Sequence, residues 1–356
     1  MNSPAPGARA PRVLLAALCA TALLTGCSAQ AETPREKTAG AQRAGLPRAS
    51  SELQSDYEKV IEDVLPSVVQ ITAGDSLGSG IVWDDKGHVV TNAHVVGEES
   101  SFKVTTATGE QELSANLVSS YPQQDLAVIK LDNPPKGLKA AAFGDSGKVS
   151  VGQIVLAMGS PLGLSSSVTQ GIVSATGRTV TEGRSGGGTG ATIANMVQTS
   201  AAINPGNSGG ALVDLDGKVI GIPTLAATDP GLGDSAAAGI GFAIPAATVR
   251  SIAGQIVKDG KVTDSGRAAL GITGRTVLGR DLQPAGVALV SVREGGPADK
   301  AGLRAGDILT RLGDRNLSTI DSLTSLLAAE RPGERVELTY TRNGDEKTAR
   351  VTLGEM

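Results

Sequence analysis

Cysteine is nearly absent. Of 356 residues only Cys19 and Cys27 carry a thiol, both within the first 27 positions. The folded body beyond them therefore has no disulfide and no thiolate metal site. Histidine is as scarce: the chain holds only His88 and His94, which leaves few ligands for a metal beyond carboxylates. No metal and no other cofactor is expected. Aromatic side chains make up 2% of the residues, so the core must come from Val, Ile, Leu and Ala. No basic block could track a phosphate backbone, and the net charge is −4; nucleic acid is not an expected partner. Two phosphate-loop look-alikes also fail. No Lys-Ser/Thr follows SGGGTG, and GDSGKVS has Val149 where a serine or threonine is needed.

One long apolar run exists, VLLAALCATALL after Arg9 and Arg12, and it is too short to span a bilayer as a stable helix. It reads as a signal segment, residues 1–26. The LTGC that follows resembles a bacterial lipobox, which implies cleavage before Cys27 and lipidation of its thiol. An ordinary signal peptide with a chance cysteine is the alternative. Residues 27–52 are polar and aperiodic and read as a flexible tether with a reach of about 25–30 Å. Lipid and tether together would hold the body at the extracytoplasmic face of a membrane.

The chain is long enough for two or three domains rather than one. In SDYEKVIEDVLPSV, Tyr57, Val60, Ile61 and Val64 recur at helix spacing, and Pro66 stops the pattern. From Ser67 to about Pro245 the text is short Val/Ile-rich runs between turns (SVVQI, GIVW, HVVT, LAVIKL, QIVLAM, KVIGI, GFAI), and 47 glycines punctuate the whole chain. This grammar predicts a mainly β body, a sandwich or pair of barrels. AATVRSIAGQIVKDG reads as a closing helix ended by Gly260. The first domain is thus placed at 53–262. Residues 263–356 follow a different pattern, with strands in AALGITG and GVALVSV and a helix in STIDSLTSLLAAE capped by Ser318 or Thr319. A final hairpin turns at Asn343-Gly344.

INPGNSGGALV places Ser208 between glycines just before an apolar run. Such a serine is an inert turn residue unless a base stands beside it. Only two histidines are available. His88 enters an alternating strand and is most simply structural; His94 follows Asn92 and Ala93 where the apolar strand gives way, so its ring can project from a strand end. For a carboxylate partner, Asp125 in YPQQDLAVIKL directly precedes an apolar strand, although a solvated turn residue would look the same. Asp84, Asp85, Asp214 and Asp216 lie beside glycines in evident turns. GNSGG also fits a nucleophile elbow, but in those hydrolases histidine comes last in the chain, and none follows Ser208. The order His94, Asp125, Ser208 is that of chymotrypsin-like enzymes, which suits two barrels.

TNAHVV, DLAVIKL, GSPLGL, GIVSA, QTSAAINPGNSGGAL and GIGFAIP together resemble the HtrA/Deg family of serine proteases, and GPADKAGLRAGDIL resembles its PDZ domain. The resemblance implies a chymotrypsin-like double β-barrel followed by a small α+β PDZ domain. It implies Ser208 as nucleophile, His94 as base and Asp125 as its orienter, with the N–H groups of Gly206 and Ser208 as the oxyanion hole. It also implies a sensor loop over 181–196 and a specificity loop over 221–231. Ile222, Thr224 and Leu225 in that second loop are read as a small apolar pocket, giving cleavage after Val, Ala, Ile or Leu. In the PDZ domain the N–H groups of Leu270, Gly271 and Ile272 would hold a peptide's terminal carboxylate beside the IDSLTSLLAA helix. Expected partners are unfolded or extended polypeptides, C-terminal peptides, a membrane through the lipid, and two further copies in a homotrimer. Ser200 and Pro223 depart from the family's usual Asp and Asn. A non-catalytic chaperone or PDZ scaffold is the competing reading.

Overall fold

The structure is a computed structural model, and it describes residues 48–106, 111–160, 167–182, 189–204, 206–229, 235–279 and 282–356. The expected signal segment, Cys27 and most of the tether lie outside the described residues.

Helix α1 (Arg48–Val64) opens the body and gives way to a 3₁₀ turn at Leu65–Ser67 that contains Pro66. The α conformation stops one residue short of the position that the proline ring restricts. Its periodic residues behave as expected: Val60 and Val64 are buried in the main core, with Tyr57 and Ile61 packed against it. Residues 48–52, read from the sequence as part of a tether, are helical.

Six strands close the first barrel in the order β1-β2-β3-β6-β5-β4. They are β1 (Val68–Ala73), β2 (Ser76–Val82), β3 (His88–Thr91), β4 (Ser101–Thr106), β5 (Glu112–Tyr121) and β6 (Leu126–Leu131), with the four-residue helix α2 (Ala93–Val96) after β3. The second barrel runs β10-β11-β12-β9-β8-β7, from β7 (Ile154–Gly159), β8 (Ser167–Thr181), β9 (Thr192–Thr199), β10 (Ala211–Val213), β11 (Val219–Asp229) and β12 (Ser235–Pro245). The unbroken apolar runs follow from burial on both strand faces. In β6, Ala127, Ile129 and Leu131 fill the barrel interior, while Leu126 and Val128 join a core shared with the second barrel. In β7, Val155 and Ala157 point inward, while Leu156 and Met158 meet that same shared core. Helix α3 (Ala246–Asp259) covers the shared core with Val249, Ile252 and Ile256 and ends at left-handed Gly260, as the sequence predicts.

The C-terminal domain is a sheet ordered β14-β15-β16-β18-β19, with β17 on β16 and a separate β13-β20 pair. Its strands are β13 (Ala268–Ala269), β14 (Ile272–Leu278), β15 (Pro284–Val292), β16 (Ile308–Leu312), β17 (Arg315–Asn316), β18 (Arg335–Arg342), β19 (Asp345–Thr352) and β20 (Gly354–Glu355). Helix α4 spans Pro297–Lys300 and α5 spans Ile320–Ala329. Thr319, not Ser318, caps α5, in a reciprocal capping box with Ser322. Asn343 and Gly344 both take positive φ, 56° and 92°, as a two-residue hairpin turn requires. Among the described residues, strand β14 lies at the sheet edge with no strand on its outer side.

Candidate active site

The two histidines separate cleanly. His88 Nδ1 is bonded to Asp84 Oδ2 at 2.7 Å within the β2–β3 turn, a local structural role. His94, on α2, turns its Nδ1 to Asp125, 3.0 Å from Oδ1 and 2.9 Å from Oδ2. Asp125 is fully buried and sits in a left-handed conformation at φ 49°, a strained choice for a non-glycine residue. The strain is held by specific bonds. Asn92 Nδ2 donates to the Asp125 carbonyl at 2.9 Å, the His94 backbone N–H donates to Oδ1 at 2.9 Å, and the Thr224 hydroxyl donates to Oδ2. Burial pushes the His94 imidazole down, but the hydrogen bond and charge of Asp125, with a smaller part from Glu182, hold it above its ordinary value.

Ser208 is partly exposed. Its hydroxyl donates to the Thr224 carbonyl at 3.2 Å, so its proton is not directed at His94. The backbone around Ser208 is fixed from the first barrel by Ser79. Its N–H donates to the Ser208 carbonyl at 2.9 Å, and its hydroxyl donates to the Gly206 carbonyl and accepts from the Ser160 N–H at 2.8 Å. Thr91 Oγ1 donates to the Ser79 carbonyl at 2.7 Å. Gly206 has φ 104°, open only to glycine at low cost. Among the described residues, no acceptor takes the N–H of Gly206 or of Ser208. An oxyanion hole needs two such donors converging on one point beside the nucleophile.

Residues 78–222 match the family described as the trypsin-like peptidase domain, and residues 266–353 match the PDZ domain. The chain is 39% identical over 299 residues to the serine protease Do-like HtrA of Lactococcus lactis, covering 79% of this chain and 71% of that protein. The chain belongs to the HtrA family of serine proteases. The periplasmic pH-dependent serine endoprotease DegQ of Escherichia coli is 37% identical over 319 residues, covering 87% of this chain and 66% of DegQ. Among solved structures, the HtrA-type protease AlgW with a decapeptide matches with a TM-score of 0.58 and 30% identity, over 84% of this chain and 98% of that one. The serine endoprotease from Yersinia pestis matches at 0.56 and 32%, with the same coverage. This HtrA-family chain is thus a serine endopeptidase.

Within that family frame, the expected pocket needs correction. Ile222 is fully buried in the shared core, and Thr224, 4% exposed, spends its hydroxyl on Asp125. Neither lines an open pocket. The cause is a bulge in β11: Pro223 pairs with Ala243 and Leu225 with Phe242, leaving Thr224 unpaired between them. The bulge aims Thr224 at the back of the His94–Asp125 pair. The Leu225 side chain lies outside the described residues, as do residues 183–188 of the expected sensor loop and 230–234 at the end of the specificity loop. The two departures find their places. Ser200 Oγ accepts the Ile172 N–H at 3.0 Å, an acceptor role that a carboxylate could equally fill. Pro223, which has no N–H to give, sits where the ladder is already broken, and its carbonyl accepts from the Gly209 N–H at 3.0 Å.

Sequence reasoning missed Ser79 and Glu182. For Ser79 the available signal was its setting in GSG on a strand. Gly209, in contrast, carries a strong constraint. At φ 82°, an added Cβ would stand 2.1 Å from the Ser79 carbonyl oxygen and 2.4 Å from Thr91 Oγ1. Gly209→Ala is therefore expected to destabilise the protein by about 3 kcal/mol or more, from the left-handed backbone and the clash with main chain. Chemical denaturation of the full chain measures this; an unchanged midpoint would contradict the packing described.

Proposed function

We propose that the chain is an exported endopeptidase that cuts misfolded or extended polypeptides of the cell envelope by attack of Ser208 on the scissile carbonyl. His94 takes the hydroxyl proton and returns it to the leaving amine. Asp125 holds the imidazole with Nδ1 protonated and Nε2 free, and the Gly206 and Ser208 N–H groups bind the oxyanion. The observation that carries this reading is the buried carboxylate of Asp125 on His94 Nδ1, joined to Ser208 through Thr224, whose hydroxyl meets Asp125 and whose carbonyl takes the Ser208 hydroxyl. Cleavage after small aliphatic residues is proposed because QTSAAIN (198–204) and VIGIPTLAAT (219–228) carry no charge to receive Lys or Arg.

The PDZ domain is proposed to regulate this activity by binding C-terminal peptides along the open edge of β14. The carboxylate would be held by the N–H groups of Leu270, Gly271 and Ile272. Left-handed Gly271 and the Arg293 guanidinium beside it support that placement. Contacts with the first domain support this reading: α5 lies against β8 and β9, Gln124 Nε2 donates to the Ser265 carbonyl at 3.2 Å, and Arg267 donates to the Gln123 carbonyl, one and two residues before Asp125. Export is supported by the periplasmic naming of DegQ. Among the described residues no helix is long and apolar enough to cross a membrane. Lipidation at Cys27 and assembly as a homotrimer complete the proposal.

The test is digestion of casein and of a mixed peptide library by the full chain, with and without a peptide ending in apolar residues. Turnover that stops in Ser208→Ala, favours Val, Ala, Ile or Leu before the cut, and rises with the added peptide is expected. Equal turnover by Ser208→Ala would leave the non-catalytic chaperone or scaffold.

A further inference from the structure

A second buried carboxyl stands behind Asp125 and takes no part in the attack outlined above. Glu182 follows directly on β8 and is 3% exposed. Its Oε2 accepts from the Thr189 backbone N–H at 3.1 Å and from the Thr189 hydroxyl. Its Oε1 lies 3.3 Å from Thr224 Oγ1. That threonine has one hydroxyl proton, and its close acceptor is Asp125 Oδ2.

Counting protons favours a protonated Glu182. With the threonine proton on Asp125, the contact between Oε1 and Oγ1 has none left unless the glutamate supplies it. Two bare oxygens facing each other in a buried site would be repelled. With Oε1 protonated, the bonds run in one direction: Glu182 O–H to Thr224 Oγ1, Thr224 O–H to Asp125, and His94 Nδ1–H to Asp125 from the other side. Electrostatics agree. Burial, then the Asp125 charge, and a side-chain hydrogen bond shared with Asp125 push the Glu182 carboxyl up to about 7, against the opposing pull of the Thr189 donors. Among the described residues, the ionisable groups that face it are Asp125 and, more weakly, His94.

We propose that Glu182 is a positioning residue of the relay: its carboxyl proton goes to Thr224, which frees the threonine proton for Asp125 and fixes the carboxylate that orients His94. This rests on the reading of Ser208, His94 and Asp125 given above. When Glu182 loses its proton, two carboxylates compete for one threonine proton. A second negative charge then stands near the imidazole and raises the pH at which His94 becomes a free base.

Two substitutions in the full chain separate this role from a merely structural one. Glu182→Gln keeps the shape; its amide N–H donates to Thr224 and its carbonyl accepts from Thr189, a permanent mimic of the protonated acid. Glu182→Leu can do neither. In Glu182→Gln the acid limb of kcat/KM against pH is expected to move down by about 0.5 pH unit. In Glu182→Leu kcat is expected to fall about tenfold at every pH, with KM little changed. Infrared spectra in the Ser208→Ala background need no turnover, so they stand apart from the fate of the catalytic reading. They are expected to show a buried protonated carboxyl that titrates near neutral pH and is missing from Ser208→Ala/Glu182→Gln.

Unfolding temperature supplies a further readout. A carboxyl raised from its ordinary value of 4.5 to about 7 in the fold contributes stability that is complete below the lower value and lost as pH rises through the upper one. Relative to Glu182→Gln, the parent is therefore expected to lose stability across that window. Superposed pH profiles for the parent and Glu182→Gln, or no titrating carboxyl band, would overturn the proposal. Equal impairment of the Gln and Leu variants would do the same.

Discussion

Replacing Ser208 with alanine is expected to lower peptide hydrolysis by about 10⁵-fold while leaving the fold in place. The size follows from what the hydroxyl does. In the proposed attack it is the nucleophile; without it, His94 has no Ser208 proton to take, and only the proposed backbone donors remain to stabilise a tetrahedral oxyanion formed by water. The fold is spared because the backbone at 208 is secured independently of the side chain, by Ser79 N–H on the Ser208 carbonyl and by the Gly209 N–H on Pro223. The one bond lost is the 3.2 Å contact to the Thr224 carbonyl, at the partly exposed edge of the site, worth about 1 kcal/mol. Residual casein turnover, together with an unchanged denaturation midpoint, checks both halves. A loss of only tenfold would mean that another group carries the attack.

The parts of this molecule that were legible in its sequence are those set by short-range pattern. The helix-spaced Tyr57, Val60, Ile61 and Val64 fixed which face of α1 is buried; Gly260 and Asn343-Gly344 fixed where the chain turns. Residues 48–52 read as tether because they carry almost no apolar side chain. They are helical because a helix already anchored by its later turns propagates backward at small cost. Chain order and the shortage of histidine brought His94, Asp125 and Ser208 together as candidates. Glu182 was illegible. It stands among glycine, serine and arginine in TEGRSGGGTG, a composition that reads as solvated. What buries it is long-range pairing: Thr189 across the hairpin, and Thr224 aimed inward by the bulge beside Pro223. The same bulge explains the pocket error. Ile222, Thr224 and Leu225 look like one loop in sequence, yet Ile222 belongs to the core and Thr224 to the support of Asp125.

Asparagine at 125 is expected to cost about 10⁴-fold in kcat with little change in KM. The geometry explains why in terms of one hydrogen atom. Oδ1 of Asp125 receives the His94 backbone N–H at 2.9 Å, so the carbonyl oxygen of an asparagine must take that place. Its NH₂ group then replaces Oδ2, 2.9 Å from His94 Nδ1. An N–H aimed at Nδ1 forces that nitrogen to be the acceptor and moves the ring proton to Nε2, the atom that must be free to take a proton from Ser208. The base is present but in the wrong tautomer. Loss of the carboxylate also removes the leading influence that holds His94 above its ordinary value of 6.5, leaving burial to push it down. The imidazole of Asp125→Asn is therefore expected to lose its charge at lower pH than that of the parent. Imidazole NMR reads both effects directly, because the chain has only two histidines, and His88, tied to Asp84, serves as the internal reference. An Asp125→Asn variant that kept the Nδ1–H tautomer, or more than about a tenth of the parental kcat, would show that Asp125 does not set the state of the base.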